Sequence, residues 1–358
     1  MDIKPLKIGD LEARLPIIQG GMGIGISLSN LASAVANCGG IGIISAAQIG
    51  YDDEDFKTNA FEANLKALRK HIKLAKEKAP KGIIGVNLMV AMKNYEEYAL
   101  EAIKSGVDLI ISGAGLPTTL PKIAKGYKTK IAPIVSSLKA ASVILKIWDK
   151  KHNVAPDMIV VEGPKAGGHL GFHKEDIEKE DCSLESVVPQ IIEVVKPYEE
   201  KYNKNIPIIA AGGIYDGFDI AKFLKLGAHG VQMGTRFVAT EECDAHINFK
   251  KAYIDSSKED ISIVKSPVGM PGRAILNSFT KTVEYERQKI DKCYNCLIPC
   301  DPKETPYCIT TALINAAKGN MEKALIFAGE NAYKVNKIIP VVELMHALES
   351  EIMISIDD

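Results

Sequence analysis

The chain has 358 residues, of which 46% are hydrophobic and 25% are charged, and its formal net charge is −1. This composition is typical of a globular protein with a large core, and the length allows two average domains or one large α/β barrel with additions. The balanced charge argues against nucleic acid and membrane as partners, and no stretch resembles a signal peptide or a membrane span, so we expect a cytoplasmic location.

Eight short apolar runs alternate with longer amphipathic stretches. The runs cover residues 16–21, 40–45, 82–89, 109–114, 130–136, 158–163, 207–213 and 230–237. The stretches between them predict helices at residues 29–37, 53–78, 96–105, 137–150, 184–201 and 217–226. Uninterrupted apolar runs of this length are typical of parallel strands covered on both faces. Repeated strand–helix units predict a parallel sheet, and eight strands favour a closed (β/α)₈ TIM barrel over a doubly wound open sheet.

The alternation ends near residue 240. We predict helix and loop for residues 241–277, an irregular cysteine-bearing segment for 281–308, and helices for 311–318, 321–328 and 341–351. No linker rich in Gly, Ser or Pro precedes this part. We therefore expect a barrel over residues 1–240 and, over 241–358, a helical and cysteine-bearing extension packed on it rather than an independent domain.

The last two runs contain glycines at or near their ends. Gly212 and Gly213 end the seventh run, and Gly234 lies within the eighth. Glycine lets backbone N–H groups approach a phosphate closely, and barrels often bind phosphate at this position. One such pair is explained equally well by a turn, whereas two sets favour a phosphate site. The glycines at 20–25 do not have the spacing of a dinucleotide-binding fingerprint.

Polar side chains close several apolar runs. Asn87, Glu162 and Gln232 offer hydrogen-bond donors and acceptors that suit a flavin ring edge or a ribityl hydroxyl, although loop capping explains each of them alone. Met22 fits either core packing or a soft cover over an aromatic ring. His169 follows two glycines after the sixth run, where its imidazole can face a cavity and act as a general base or charge partner. His173 is a candidate supporting residue.

Six motifs in order carry a family resemblance. They are PIIQGGMG, GVNLMV, SGAG, EGPKAGGHLG, PIIAAGGI and GVQMGTRF, spread over about residues 5–240. Together they resemble the nitronate monooxygenase (formerly 2-nitropropane dioxygenase) family, whose superfamily includes the FMN-dependent enoyl-acyl-carrier-protein reductase of some bacteria.

The resemblance implies an FMN-containing barrel with His169 as the catalytic residue facing the flavin. By motif position, it implies FMN contacts from Gly21, Met22, Asn87, Glu162, Gly167, Gly213, Gln232, Met233, Gly234 and Thr235. The family usually has Glu before the Ala-Gly-Gly-His stretch, whereas this chain has Lys165. That cation either attracts an anionic substrate or is simply solvated.

Four of the seven cysteines lie close together in the sequence. Cys293, Cys296, Cys300 and Cys308 have a spacing partly similar to that of the cluster-binding cysteines of flavin-dependent dienoyl-CoA reductases. Four thiolates can hold Zn²⁺ or an iron–sulfur cluster, and free or packed thiols are the alternative. Both alternatives stay open here.

Three functions fit the pattern. The leading one is an FMN-dependent oxygenase that converts alkyl nitronates and O₂ to a carbonyl compound and nitrite. The second is a reductase in which NAD(P)H reduces FMN and an enoyl thioester takes the hydride. The third is a non-catalytic flavoprotein whose cysteines transfer electrons or sense redox state. The substrate in the first two is a small molecule, and a homodimer is compatible with all three.

Overall fold

The computed structural model describes residues 3–267 and 269–357. An antiparallel hairpin opens the fold, with β1 at Leu6–Ile8 and β2 at Leu11–Ala13. Leu6 and Ile8 pack in one cluster with the barrel interior, and Asp10 pairs with Lys130 at the beginning of a barrel strand. The hairpin therefore covers the end of the barrel at which the strands begin.

Eight parallel strands close into a barrel, which confirms the predicted fold class. They are β3 (Ile17–Gln19), β4 (Ile41–Ser45), β5 (Ile83–Met89), β6 (Leu109–Gly113), β7 (Lys130–Val135), β8 (Ile159–Glu162), β10 (Ile208–Ala211) and β11 (Gly230–Met233); the short β9 (Gly168–His169) lies outside the barrel. β11 pairs with β3 and closes the ring. Each strand falls within one of the eight apolar runs of the sequence.

The strands lack an apolar–polar alternation because both of their faces are buried. In β4, Ile43 belongs to the cluster inside the barrel, whereas Ile44 packs in the cluster between the barrel and its helices. Both side chains are 0% exposed. Burial on two sides is the physical reason that the runs are apolar throughout.

The six predicted helices are present as α1 (Ser29–Asn37), α2 (Ala60–Lys78), α3 (Tyr95–Lys104), α5 (Leu138–His152), α6 (Leu184–Tyr202) and α7 (Gly217–Lys225). The one predicted from residue 53 begins at Ala60, and the short α4 (Leu120–Ile123) and α8 (Thr235–Val238) were not predicted. The predicted eighth strand extended to residue 237, whereas the structure ends β11 at Met233 and begins α8 at Thr235. No helix among residues 3–267 and 269–357 combines the length and the apolar character needed to cross a membrane.

The last third of the chain packs on the barrel. It contains α9 (Ile247–Ile254), β12 (Ile261–Lys265), β13 (Pro271–Ile275), α10 (Ser278–Tyr285), α11 (Ile309–Ala317), β14 (Ile326–Phe327) and α12 (Val341–Asp357). α12 lies against α7 and α1. The division of the chain at residue 240 stays a prediction.

Two predictions for this part are wrong. Residues 241–277 contain the hairpin of β12 and β13 rather than only helix and loop. Residues 321–328 form a short 3₁₀ turn and β14 rather than a helix, because Ile326 and Phe327 pair with β13. Strand pairing with distant residues overrides the local helical preference in this segment.

Candidate functional site

A cavity of about 290 Å³ opens at the carboxyl ends of the barrel strands, where the loops after the strands meet. This is the end of a barrel that carries the active site in enzymes of this architecture. Every residue predicted to bind a cofactor or to act in catalysis lines this cavity: Gly21, Met22, Asn87, Glu162, Gly167, His169, Gly213, Gln232, Met233, Gly234 and Thr235. The structure thus brings them together, and their roles toward a cofactor stay predictions.

Glycines shape the side of the cavity after β10 and β11. Gly212 and Gly213 have φ angles of +96° and +80°, a region that disfavours residues with a Cβ. A Cβ on Gly213 would also lie 2.8 Å from Cβ of Lys165. The exposed Lys165 side chain therefore lies directly against the backbone of Gly213. Whether this cation meets a cofactor or a substrate stays a prediction.

An amide group in the cavity has an unused acceptor. Gln232 Oε1 is buried and has no hydrogen-bond partner in the part of the chain that the structure describes. A buried acceptor without a donor is costly, so this atom calls for a donor from a ligand. On another strand, Asn87 passes so close to Gly21 that a Cβ there would lie 2.3 Å from Asn87 Cβ. Glycine at position 21 is thus required by the Asn87 side chain.

Glu162 places a carboxyl group at the end of β8. Burial raises the pKa of this carboxyl from 4.5 to about 7. Near neutral pH the group is therefore present in both forms. Its protonated form can donate a hydrogen bond into the cavity, and its ionised form can accept one.

His169 is held by residues of the C-terminal third. Its strand, β9, pairs with β13, and Nε2 lies 2.6 Å from Ser266 Oγ. The imidazole also makes an edge contact with the Phe327 ring, with 5.0 Å between ring centroids. Burial lowers the pKa of His169 to about 4, so the imidazole is neutral at pH 7. A neutral imidazole has one N–H donor and one acceptor nitrogen, and it can accept a proton.

The loop before His169 is fixed by a buried arginine that the sequence did not single out. Arg273 donates hydrogen bonds to the carbonyl oxygens of Pro164 and Ala166, and its guanidinium lies 3.9 Å from Glu330. By contrast, His173 is exposed and does not line the cavity. Arg273 and Ser266, rather than His173, support the histidine.

Part of the cavity lining is apolar, and most of it also escaped the sequence analysis. It includes Ile24, Ile26, Val238, Phe249, Tyr253, Leu313, Ala316, Leu325 and Phe327. Six of these nine residues lie beyond residue 240. Only tertiary packing brings α9, α11 and β14 to the ends of the barrel strands, so no local pattern marks them.

The structure gives no support to the predicted metal site. Cys293 is exposed and Cys296, Cys300 and Cys308 are half-buried, all as free thiols. Within residues 3–267 and 269–357, no group of three or more His, Cys, Asp or Glu side chains is arranged to hold a metal ion. Burial raises the pKa of the Cys296 and Cys300 thiols, whereas metal ligation requires thiolates. The prediction of Zn²⁺ or an iron–sulfur cluster is therefore withdrawn.

Comparison with known proteins agrees with this arrangement. The model of the family described as nitronate monooxygenase matches residues 4–351. A probable nitronate monooxygenase of Staphylococcus aureus strain Newman is 30% identical over 309 residues, which cover 77% of this chain and 79% of that protein. One of Staphylococcus saprophyticus is 29% identical over 352 residues, with 90% of each chain covered.

Solved structures share the fold over nearly the whole chain. FabK from Thermotoga maritima is 27% identical and matches with a TM-score of 0.73, covering 96% of this chain and 94% of its own. A nitroalkane oxidase from Streptomyces ansochromogenes is 21% identical with a TM-score of 0.72, covering 96% and 97%. At that identity the second likeness concerns the fold alone.

Proposed function

Because the chain belongs to the nitronate monooxygenase family of FMN-type oxidoreductases, we propose that it is an FMN-dependent nitronate monooxygenase. In this reaction an alkyl nitronate and O₂ give a carbonyl compound and nitrite. The observation that carries the proposal is the meeting of bare glycine backbone, an unpartnered amide oxygen and a neutral histidine in one cavity.

The residues of the cavity fit FMN. Backbone N–H groups at Gly213 and Gly234, with Lys165 beside Gly213, would hold the phosphate. Gln232 Oε1 would accept from a ribityl hydroxyl or the ring N–H, and Asn87 would contact the ring edge. When bound, FMN supplies the redox chemistry by taking electrons from the substrate and passing them to O₂.

His169 would act on the substrate. With a neutral imidazole, its N–H can donate a hydrogen bond to the negatively charged nitronate, or its free nitrogen can accept the α-proton of a neutral nitroalkane. The contact with Ser266 restricts the orientation of the ring. The protein thus positions the substrate and moves its proton.

The test is O₂ consumption by the purified yellow holoprotein with ethylnitronate and without nicotinamide. We expect one nitrite and one carbonyl molecule for each nitronate consumed. Failure of every alkyl nitronate to stimulate O₂ uptake would refute the proposed activity. A protein that stays colourless after incubation with FMN would refute the assignment of FMN as its cofactor.

A second candidate is an NAD(P)H-dependent enoyl-[acyl-carrier-protein] reductase of the same superfamily. The likeness to FabK across 96% of this chain favours it. Anaerobic oxidation of NADH with a crotonyl thioester, without any response to ethylnitronate, would establish this alternative. The non-catalytic alternative, in which the cysteines transfer electrons or sense redox state, loses its metal-based form, because no metal-holding group is found among the described residues.

A further inference from the structure

A short segment of the C-terminal third contacts the loops that follow three barrel strands, β8, β10 and β11. We call it the clamp segment. It comprises residues 329–334, of which Glu330–Lys334 form a 3₁₀ turn. Five residues further on, Ile339 bridges Thr240 and brings the chain back to the barrel. The clamp segment itself belongs to no strand or helix of the barrel, so its contacts with the three loops call for an explanation.

Two main-chain hydrogen bonds join the clamp segment to the loops after β8 and β11. The Gly329 N–H group donates to Thr235 Oγ1 at 3.3 Å, and the Glu330 N–H group donates to the Lys165 carbonyl oxygen at 3.1 Å. The approach is close, because a Cβ on Gly329 would lie 2.7 Å from Thr235 Oγ1. These contacts fix the position of the clamp segment above the ends of the strands.

Asn331 adds a side-chain hydrogen bond to the loop after β10. Its Nδ2 donates to the Gly213 carbonyl oxygen at 2.7 Å, and the side chain is half-buried. Gly213 has a φ angle of +80°. Glycine has more backbone freedom than any other residue, so a contact from outside the loop is needed to keep its peptide in one orientation. Asn331 supplies such a contact.

The orientation of this peptide matters because the loop has a free donor. The N–H groups of Gly213 and Gly234 donate no hydrogen bond within residues 3–267 and 269–357, and both glycines line the cavity. Free N–H groups on glycine loops are suitable donors for a phosphate. Donors that are already fixed bind a ligand at a smaller entropic cost than mobile ones.

The far end of the clamp segment is joined to the same loops. The Tyr215 hydroxyl donates to the Lys334 carbonyl oxygen at 2.6 Å, and Tyr215 follows Gly213 by two positions. Arg236 of α8 donates from Nη1 to the same hydroxyl at 3.0 Å. The clamp segment is thus held at both ends by the loops after β10 and β11, with Asn331 between these contacts.

We propose that Asn331 is a positioning residue, which holds the Gly213 loop in the orientation that binds the phosphate of FMN. Retention of the cofactor then depends on the C-terminal third of the chain and not on the barrel alone. Asn331 is not among the residues that line the cavity, so it acts through Gly213. The inference rests on the proposed function, because the phosphate is that of the proposed cofactor.

The first measurement is the affinity of the full-length apoprotein for FMN, obtained from quenching of flavin fluorescence. Asn331→Leu removes the donor and keeps a side chain of similar size. We expect its Kd for FMN to rise about fivefold or more, the usual effect of losing one hydrogen bond. Asn336→Leu is the matched control, because Asn336 is exposed and lies just beyond the clamp segment. A wild-type Kd in the folded Asn331 variant would overturn the inference.

Riboflavin distinguishes positioning of the phosphate loop from a general loosening of the cavity, because it has the ring and ribityl chain of FMN without the phosphate. We expect Asn331→Leu to bind riboflavin as wild type does, and equal weakening of both flavins would overturn the inference. If riboflavin binds too weakly to measure, inorganic phosphate is used as a competitor of FMN. Its inhibition constant should then rise in the variant, and an unchanged constant would contradict the assignment.

A second variant covers the case in which Asn331→Leu does not fold. Tyr215→Phe removes the hydrogen bond to Lys334 at the other end of the clamp segment, so we expect the same selective loss of FMN affinity. A wild-type ratio of FMN to riboflavin affinity in this variant would count against the inference. None of these measurements uses a nitronate, so failure of the proposed oxygenase activity would leave them interpretable. Wild-type apoprotein that binds no FMN would overturn the inference together with the proposed cofactor.

Discussion

At the scale of single residues, the site depends on how burial changes protonation. The cavity that makes His169 neutral also keeps Glu162 partly protonated near pH 7, because a low-dielectric environment disfavours both charged forms. Neutral groups can exchange hydrogen bonds with a ligand without a large desolvation cost. This is compatible with the nitronate and FMN that we propose for the site.

His169→Ala should separate catalysis from cofactor binding. We expect the variant to keep FMN, since the glycine backbone and Gln232 are unchanged, and to lose at least about 100-fold in turnover, the usual contribution of a positioned acid or base. Flavin content from absorbance and O₂ uptake with ethylnitronate measure the two effects. Unchanged turnover would remove His169 from the mechanism.

Glu162→Gln should alter the pH dependence of stability. The carboxyl has its ordinary pKa near 4.5 in the unfolded chain and a pKa of about 7 in the fold, so the folded state binds the proton more tightly. The stabilisation of the fold by this bound proton is therefore complete below pH 4.5 and is lost as the pH rises to about 7. We expect the variant, which mimics the neutral form, to lose less stability than wild type across this interval. Urea unfolding at pH 4.5, 6 and 8 gives the free energy of unfolding of wild type and of the variant.

The exposed Glu178→Gln is the matched control and should follow the wild-type pH profile. Parallel profiles for wild type and the Glu162 variant would show that the carboxyl titrates in the fold as it does in the unfolded chain.

At the scale of elements, one helix depends on a residue far away in the chain. Leu28, the N-cap residue of α1, provides no side-chain cap. Asp244 supplies it instead, because its carboxylate accepts from the backbone N–H groups of Leu28 at 2.8 Å and of Leu31 at 3.2 Å. Capping satisfies N–H groups that have no partner within the helix.

Asp244→Ala should therefore destabilise the protein by about 1–3 kcal/mol, the cost of leaving buried donors without partners. Asp255, an exposed residue at the end of α9, provides the control, and its replacement by Ala should stay within about 0.5 kcal/mol of wild type. Equilibrium denaturation gives both values. Equal effects of the two substitutions would rule out a capping role.

At the scale of the whole molecule, the last helix joins the extension to the barrel. Leu348 of α12 is 0% exposed, and a Cβ on Gly217 of α7 would lie 2.5 Å from the Leu348 carbonyl oxygen. The two helices thus approach closely at a glycine. The C-terminal helix is thus packed tightly against a helix of the barrel.

Leu348→Ala should lower the free energy of unfolding by about 2–5 kcal/mol, because it removes a fully buried side chain and leaves a cavity. On the same helix, Met353 is 40% exposed, so Met353→Ala should have little effect. A small loss for Leu348→Ala would mean that α12 contributes little to holding the extension in place.

The barrel could be predicted from the sequence, and the extension largely could not. Strands such as β4 are visible because Ile43 and Ile44 are both buried, which leaves an uninterrupted apolar run. The cavity residues at the strand ends were visible for the same reason, since polar groups and glycines interrupt those runs. Ser266, however, meets His169 across 97 positions of chain, and no local pattern reports such a contact. The β14 segment was wrongly predicted as helix because its strand pairing with β13 also joins residues that are distant in the chain.

The pairing of β9 with β13 also determines at what point of synthesis the surroundings of His169 are complete. Synthesis from the amino end completes the last barrel strand at Met233, but His169 gains its neighbours only when Ser266, β13 and Phe327 have been made. A nascent barrel that closes early would hold an unsupported imidazole and an open, wet pocket. The supported arrangement of His169 is therefore reached only after synthesis has passed Phe327.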